Sequence, residues 1–288
     1  MKKVFLGFCF LAISLFSFAQ FKSDKIKWTK DGNGSYENDK NNIVKIDFKT
    51  GAQTVLVSID DLKINNSKLT VADFEVSNND QSVLIFTNTA RVWRYNTRGD
   101  YWYYHIPTKR LQQIGKDRPA QSLLYAKISP NGEQAAYVSE NNIYVEDLAT
   151  GKSKAITSTN NTKKLINGTF DWVYEEEFGC RDGFRWSSDS KSIAYWQVDA
   201  NQIKDYFMLN TTDGNYSKVI PVEYPKVGEQ PSPVKIGVVN VQSGDTKWMN
   251  IPGDPANNYL PRMEWSGANE LIVQQLNRKQ NESKLYFC

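Results

Sequence analysis

The sequence has one histidine, His105, and three cysteines in 288 residues. A single imidazole leaves most zinc sites short of ligands, and any complete Ser-His-Asp triad would depend on that one position. Three cysteines are too few for a disulfide-stapled scaffold. Net charge is equally scarce, with 35 Lys plus Arg against 32 Asp plus Glu, or +3 overall. A protein that holds nucleic acid by neutralising phosphates needs a larger excess, so that class is excluded. Beyond the first twenty residues no apolar run approaches spanning length, so stable membrane insertion is not expected. What is present is 13% aromatic residues within a 40% apolar share, which excludes a disordered tail.

The amino terminus stands apart. Lys2 and Lys3 precede an apolar run from Val4 to Phe18, and Ser17 and Ala19 supply small residues just before a cut ahead of Gln20. This is the pattern of a secretory signal peptide over residues 1–19. Its removal leaves 33 basic against 32 acidic residues, so the apparent basicity says nothing about a polyanionic partner. Cys9 leaves with the signal and, following bulky Phe8, is a poor lipid acceptor. Cys180 and Cys288 remain, and their pairing is not legible from sequence. The mature chain, from residue 20 to 288, is expected to be exported to the periplasm or the extracellular space.

That mature region lacks long stripes of helical period and is filled with short β-branched and aromatic runs separated by Asn, Asp, Gly and Ser, a pattern of all-β structure. Two phrases recur. The first closes a strand with a polar residue and places Gly four positions on: Asp47-Phe48-Lys49-Thr50-Gly51, Asp147-Leu148-Ala149-Thr150-Gly151 and Asn240-Val241-Gln242-Ser243-Gly244. A degenerate copy is His105-Ile106-Pro107-Thr108-Lys109. Glycine there supplies the positive φ of a tight turn, so each phrase predicts strand, turn, strand. The second phrase is a turn feeding an apolar strand: Ser77-Asn78-Asn79-Asp80, Ser129-Pro130-Asn131-Gly132 and Ser187-Ser188-Asp189-Ser190, with Trp265-Ser266-Gly267-Ala268 as a weaker relative.

The two phrases alternate along the chain. Copies of the first lie 58, 42 and 93 residues apart, and copies of the second 52, 58 and 79. A four-stranded propeller blade takes about 40 to 50 residues, so most intervals hold one blade and the interval of 93 is expected to hold two. The expected fold is therefore an incomplete β-propeller of about five four-stranded blades, with a two-sheet sandwich as the competing architecture. Between Asp199 and Lys235 the spacing is too long for its blade, and Pro221, Pro225, Pro231 and Pro233 cannot donate to a central ladder. That stretch is expected either to leave the sheet as a projecting arm, a natural contact between copies, or to be a plain surface loop.

The densest unusual segment is Phe170-Asp171-Trp172-Val173-Tyr174-Glu175-Glu176-Glu177, which is expected to place three carboxylates directly behind an aromatic strand. Adjacent carboxylates repel, so holding them together is costly unless a cation arrives. A solvated acidic loop is one reading. An ammonium site is the other, because a compact –NH3+ has three donors for two carboxylates to share. If the cation is a free peptide amino terminus, the site also measures distance, and whatever bond lies a fixed span from the amine is presented for reaction. A second unusual segment runs from Val92 to Tyr104, where Arg94 sits among aromatics and offers a flat fork of donors to a carbonyl or carboxylate. The bland alternative for Arg94 is a surface residue covering an aromatic strand with its stem. The tripeptide Arg98-Gly99-Asp100 in the same passage is too short to be informative.

With the run Gly183-Phe184-Arg185-Trp186-Ser187-Ser188-Asp189-Ser190 and the triplet Ile193-Ala194-Tyr195, the segment Asp171 to Glu177 closely resembles the signature of dipeptidyl peptidase IV in its secreted bacterial form. Trp93-Arg94 and Val222-Glu223-Tyr224-Pro225-Lys226-Val227-Gly228 match that family in the same order, and the resemblance runs from about residue 60 to the end. It implies an eight-bladed propeller followed by an α/β-hydrolase domain, and release of Xaa-Pro or Xaa-Ala dipeptides by a serine peptidase. Carried over by position, Glu176 and Glu177 would bind the substrate ammonium and Arg94 the carbonyl of its penultimate residue. Glu175 would not touch substrate. The resemblance further implies an arm at about 210–233 that pairs two copies into a homodimer. It implies no metal and no other cofactor.

The hydrolase half is not found. No Gly-x-Ser-x-Gly elbow occurs anywhere in the sequence, no residue is assigned a catalytic role, and the chain is expected to be an amino-terminal portion of the enzyme, inactive by itself. The alternative function is a non-catalytic propeller serving as a binding or assembly module.

Overall fold

The computed structural model describes residues 26–288 except 163 and 268, so the signal-peptide reading of residues 1–19 lies outside the described residues. Among the described residues the fold is all-β, with antiparallel sheets and one seven-residue helix. The first sheet joins Lys27–Trp28, Gly34–Asp39, Asn42–Asp47 and Gln53–Val57 in chain order. Next comes an eight-stranded sheet made of two meanders. One runs through Asp73–Val76, Ser82–Val92, Tyr95–His105 and Arg110–Ile114, and the other through Leu123–Ile128, Gln134–Ser139, Asn142–Asp147 and Ser153–Ala155. They are stitched together where Leu123 and Leu124 pair with Gly99 and Arg98. A fourth meander contains Phe184–Trp186, Ser192–Asp199, Val234–Asn240 and Thr246–Trp248, with Leu165–Asn167 alongside its second strand. Asn258–Trp265, Leu271–Asn277 and Ser283–Phe287 form the last sheet.

Each middle meander buries both of its faces. Val83 and Ile85 turn toward Tyr36, Ile43 and Val57 of the first sheet, while Leu84 between them turns toward Leu123 and Tyr137 of the third meander. The same alternation holds along Ala135 to Val138 and along Ile193 to Trp196. Side chains on a strand alternate faces, so a strand covered on both sides must be apolar at every position. This is why these segments read as unbroken apolar runs. Serial packing of each sheet on the next also replaces the two-sheet sandwich.

The first phrase forms the turn between third and fourth strands in four meanders. Asp47 Oδ1 accepts from Thr50 N at 2.7 Å and from Thr50 Oγ1 at 2.8 Å, and Gly51 follows at φ 71. Asp147 and Thr150 repeat this geometry at the same distances. Asn240 Oδ1 takes the Ser243 N–H at 2.9 Å. His105 occupies the equivalent place in the degenerate copy, its Nδ1 2.7 Å from Thr108 Oγ1, so the lone histidine is used as a turn residue. The interval of 93 residues holds one meander and not two, because it is lengthened by the helix and by a two-stranded hairpin.

Hydrogen bonds from the turn hold the carboxyls of Asp47 and Asp147 below the usual carboxylate range, the Thr50 and Thr150 N–H groups acting first. A carboxylate with a lowered folded-state pKa stabilises the fold above its unfolded value and loses that contribution as pH falls through the folded value. The double change Asp47→Asn and Asp147→Asn keeps the acceptor oxygen and is the arrangement already used at Asn240. We therefore expect a melting temperature near that of the native chain at neutral pH and a shallower decline from about pH 5 to pH 2. Parallel melting curves for the two proteins over that range would contradict this account.

Candidate functional site

The acidic segment is helical, contrary to the strand expected in front of it. Asp171 stands at the N-cap, its side chain accepting from Tyr174 N at 3.1 Å, and Gly179 closes the helix Trp172–Phe178 in the left-handed conformation at φ 65. Asp171 is buried and its other oxygen accepts from Ser232 Oγ at 2.6 Å, which fastens the helix start to the far end of the insertion. Tyr174 and Phe178, one turn apart, point into the core and pack on Tyr259. Trp172 packs on Tyr224 at the base of the insertion, with ring centroids 4.4 Å apart. With the aromatics fixing both faces, the three glutamates occupy different directions around the axis, about 100° apart in turn. Glu175 faces inward and is 4% exposed, Glu176 is half-buried, and Glu177 is exposed.

Arg94 reaches this helix from another sheet. The strands Ser82–Val92 and Tyr95–His105 form a long hairpin in which Val92 faces Tyr95, so Trp93 and Arg94 are its two-residue tip. Trp93 sits at φ 49, in the region that favours glycine, and this conformation costs roughly 1–2 kcal/mol that surrounding contacts must offset. At the tip, Arg94 Nε meets Glu176 Oε2 at 2.5 Å. The Glu176 side chain is 12% exposed and that of Arg94 is 73% exposed. Among the described residues the Glu177 side chain has neither an ion pair nor a hydrogen-bond partner. The structure thus brings Arg94 and Glu176 into contact, with Glu177 beside them as a free carboxylate.

The hairpin is aimed by a bulge. Its register shifts between Thr87 and Ala90, where Asn88 takes φ 46. Asp100, buried in the facing strand, accepts from Asn88 Nδ2 and from Gln121 N, each at 2.7 Å, and Gln121 Nε2 returns to Asn88 Oδ1 at 2.9 Å. Asp100 therefore serves the fold, and Arg98-Gly99-Asp100 is strand and not an adhesion loop. Asp100→Ala leaves the Gln121 N–H without its acceptor, so we expect a loss of about 1–3 kcal/mol in denaturant unfolding. Amide exchange should also become faster along the outer half of the hairpin. Exchange unchanged from Ala90 to Tyr95 would show that the bulge does not depend on Asp100.

Behind the helix lies a pair that sequence reasoning missed. Arg181 Nε stands 3.5 Å from Glu175 Oε1, and the guanidinium carbon lies 4.0 Å from the centre of the Tyr95 ring. Burial pushes the Glu175 carboxyl up, with Arg181 opposing the shift and Glu176 adding to it. Cys180 and Cys288 are both free thiols, and Cys180 donates to the Pro261 carbonyl at 3.2 Å. Among the described residues no cluster of three or more His, Cys, Asp or Glu side chains could hold a metal ion. None of the described helices is long and apolar enough to cross a membrane.

The family described as the dipeptidyl peptidase IV (DPP IV) N-terminal region matches residues 77–288. Inactive dipeptidyl peptidase 10 of Rattus norvegicus is 27% identical over 272 residues, covering 91% of this chain and 33% of the relative. Dipeptidyl peptidase 4 of Bos taurus is 27% identical over 280 residues, covering 93% of this chain and 36% of the relative. The crystal structure of Porphyromonas gingivalis dipeptidyl peptidase 4 superposes with a TM-score of 0.84 at 29% identity, over 91% of this chain and 37% of that one. The chain spans about a third of the length of these relatives. With the family match extending over most of its length, the chain belongs to the dipeptidyl peptidase IV N-terminal region family.

Proposed function

We propose that this chain is the substrate-anchoring β-propeller portion of an exported serine dipeptidyl peptidase that releases Xaa-Pro or Xaa-Ala dipeptides from free amino termini. In this reading the meanders are blades, about five of a larger propeller, and the nucleophile comes from the remainder of the parent polypeptide. One observation carries it: Glu176 is engaged by Arg94 at 2.5 Å, and Glu177 next to it has no partner. Two carboxylates and one guanidinium leave a net charge of minus one, which an incoming ammonium neutralises. Its three donors satisfy both carboxylates, while the Arg94 fork remains able to take the carbonyl of the penultimate residue. The amine is then fixed, and the bond two residues along is held at a set distance for attack.

The test is a comparison of substrates. The parent polypeptide should cleave a Gly-Pro amide with a free amine and refuse the same amide when the amine is acetylated. Acetylation removes both the charge and the donors that Glu176 and Glu177 would bind. Equal cleavage of both would rule out the anchor. The name of the rat relative, inactive dipeptidyl peptidase 10, supports a second reading in which the propeller only binds. A parent polypeptide that retains free-amine peptides without cleaving them would establish that reading instead.

The same proposal makes the insertion a contact between two copies. Asp205–Asn210 pairs with Lys218–Glu223 in a hairpin outside the main sheets, starting before the 210–233 segment expected from sequence. Phe207 and Leu209 are 68% and 62% exposed, and Met208 and Val219 are exposed too. An isolated two-stranded hairpin is marginal in water, so an apolar one calls for cover. Phe207→Asp with Leu209→Asp should convert a dimer to a monomer in sedimentation while the melting temperature at low concentration stays put. A native chain that sediments as a monomer at micromolar concentration would remove the proposal.

A further inference from the structure

We infer that Arg181 is a positioning residue for the amine anchor, acting as a clamp between the acidic helix and the hairpin that carries Arg94. This rests on the anchor reading above. Glu176 and Glu177 are borne by the helix Trp172–Phe178, while Arg94 is borne by a hairpin tip from a different meander. Two elements from different sheets hold a shared ligand only if their separation is fixed, and an error of about 1 Å is enough to lose most of the benefit of orientation. The Arg94–Glu176 contact cannot itself do the fixing, because both groups must be free to rearrange when substrate enters.

Arg181 touches both elements. Its Nε faces Glu175, the residue immediately before the pair of glutamates, and its guanidinium plane covers Tyr95, the residue immediately after Arg94. Glu175 is almost fully buried, neither Glu175 Oε1 nor Arg181 Nε has a hydrogen-bond partner, and among the described residues Arg181 is the cation that faces the Glu175 carboxylate. A flat guanidinium can stack on a ring and face a carboxylate edge-on at the same time, which an ammonium cannot do. Arg181 itself follows the helix cap closely, at the second position after Gly179, so its backbone moves with the helix. The clamp sets the distance from helix to hairpin without occupying the substrate's place.

Steady-state cleavage of a Gly-Pro amide by the full parent polypeptide reads this directly. Tyr95→Leu changes a ring that is 50% exposed, and we expect it to raise KM about tenfold with kcat within about twofold and the melting temperature unchanged. Arg181→Met alone leaves Glu175 buried without its cation and is the variant most at risk of misfolding. The paired change Arg181→Met with Glu175→Gln removes both charges and should give the same rise in KM with the fold intact. Arg181→Lys should restore the melting temperature of the single variant and not its KM. Unchanged KM in Tyr95→Leu and in the paired variant, with Glu177→Ala still impaired, overturns the clamp alone. A Tyr95→Leu variant whose KM and melting temperature shift together assigns Arg181 a structural role and overturns it as well. Unchanged KM in both Glu176→Ala and Glu177→Ala removes the anchor reading and the clamp with it.

Discussion

Glu177→Ala in the parent polypeptide should lower kcat/KM for a free-amine Gly-Pro amide by about 30- to 1,000-fold. Truncating one member of a desolvated, hydrogen-bonded charge pair costs about 2–5 kcal/mol, and Glu177 is solvated before substrate arrives, which favours the lower part of that range. Glu176→Ala should be at least as severe. It deletes a carboxylate and leaves Arg94 unpaired, so a cation then repels the ammonium that the site is meant to attract. Arg94→Ala removes a donor for the substrate carbonyl and also releases Glu176 to give its full charge to the amine. These effects oppose one another, and the loss should be about tenfold or less. The Arg94–Glu176 pair is worth at most about 1 kcal/mol in the free protein because Arg94 is mostly exposed, so breaking it on binding is not a barrier. Melting temperatures of Glu177→Ala and Arg94→Ala should stay near the native value. Full activity in both glutamate variants would eliminate the assignment.

How far sequence could reach is seen by setting the turns against the site. The Asp47, Asp147 and Asn240 turns were legible because the whole interaction is local: a side chain bonds to an N–H three residues on, and Gly supplies the positive φ that follows. The serine turns at Ser77, Ser129 and Ser187 are equally local, each hydroxyl accepting from the N–H five residues later at 3.0 Å. A further copy is masked in the sequence because Thr29 replaces serine there, yet Thr29 Oγ1 takes the Gly34 N–H at the same distance. The helix was hidden by its length, since seven residues show barely two turns of periodicity. Its caps, Asp171 and Gly179, were nevertheless in view.

The site is a different case. Arg94 and Glu176 are 82 residues apart, and nothing in either neighbourhood points to the other. Only the resemblance of both segments to one family put them on the same page. Arg181 and Tyr95 lie 86 residues apart, and although Tyr95 sits in the aromatic segment from Val92 to Tyr104, nothing local points from it to Arg181, so their contact could be found only in three dimensions. Local hydrogen bonding is written in adjacent residues, whereas a site assembled from two sheets depends on how the sheets pack.

The largest effect on stability is expected at Tyr174, the residue that seats the acidic helix. Its side chain is 0% exposed, its hydroxyl accepts from Leu260 N at 3.0 Å, and its ring packs among Phe170, Phe178 and Tyr259. Tyr174→Ala opens an aromatic-sized cavity and strands the Leu260 N–H, which together should cost about 3–5 kcal/mol. Total stability for a domain is about 5–15 kcal/mol, so this single change would lower the melting temperature by roughly 10 °C or more. Tyr174→Phe keeps the ring and loses only the acceptor, so its cost should be about 1–3 kcal/mol. The difference between the two variants separates packing from the hydrogen bond. Because the N-cap Asp171, the core aromatics and the glutamates all lie within residues 171–178, Tyr174→Ala should also weaken free-amine binding at temperatures where the protein remains folded. If Tyr174→Ala melts within about 2 °C of the native chain, the helix is seated by something other than its tyrosine.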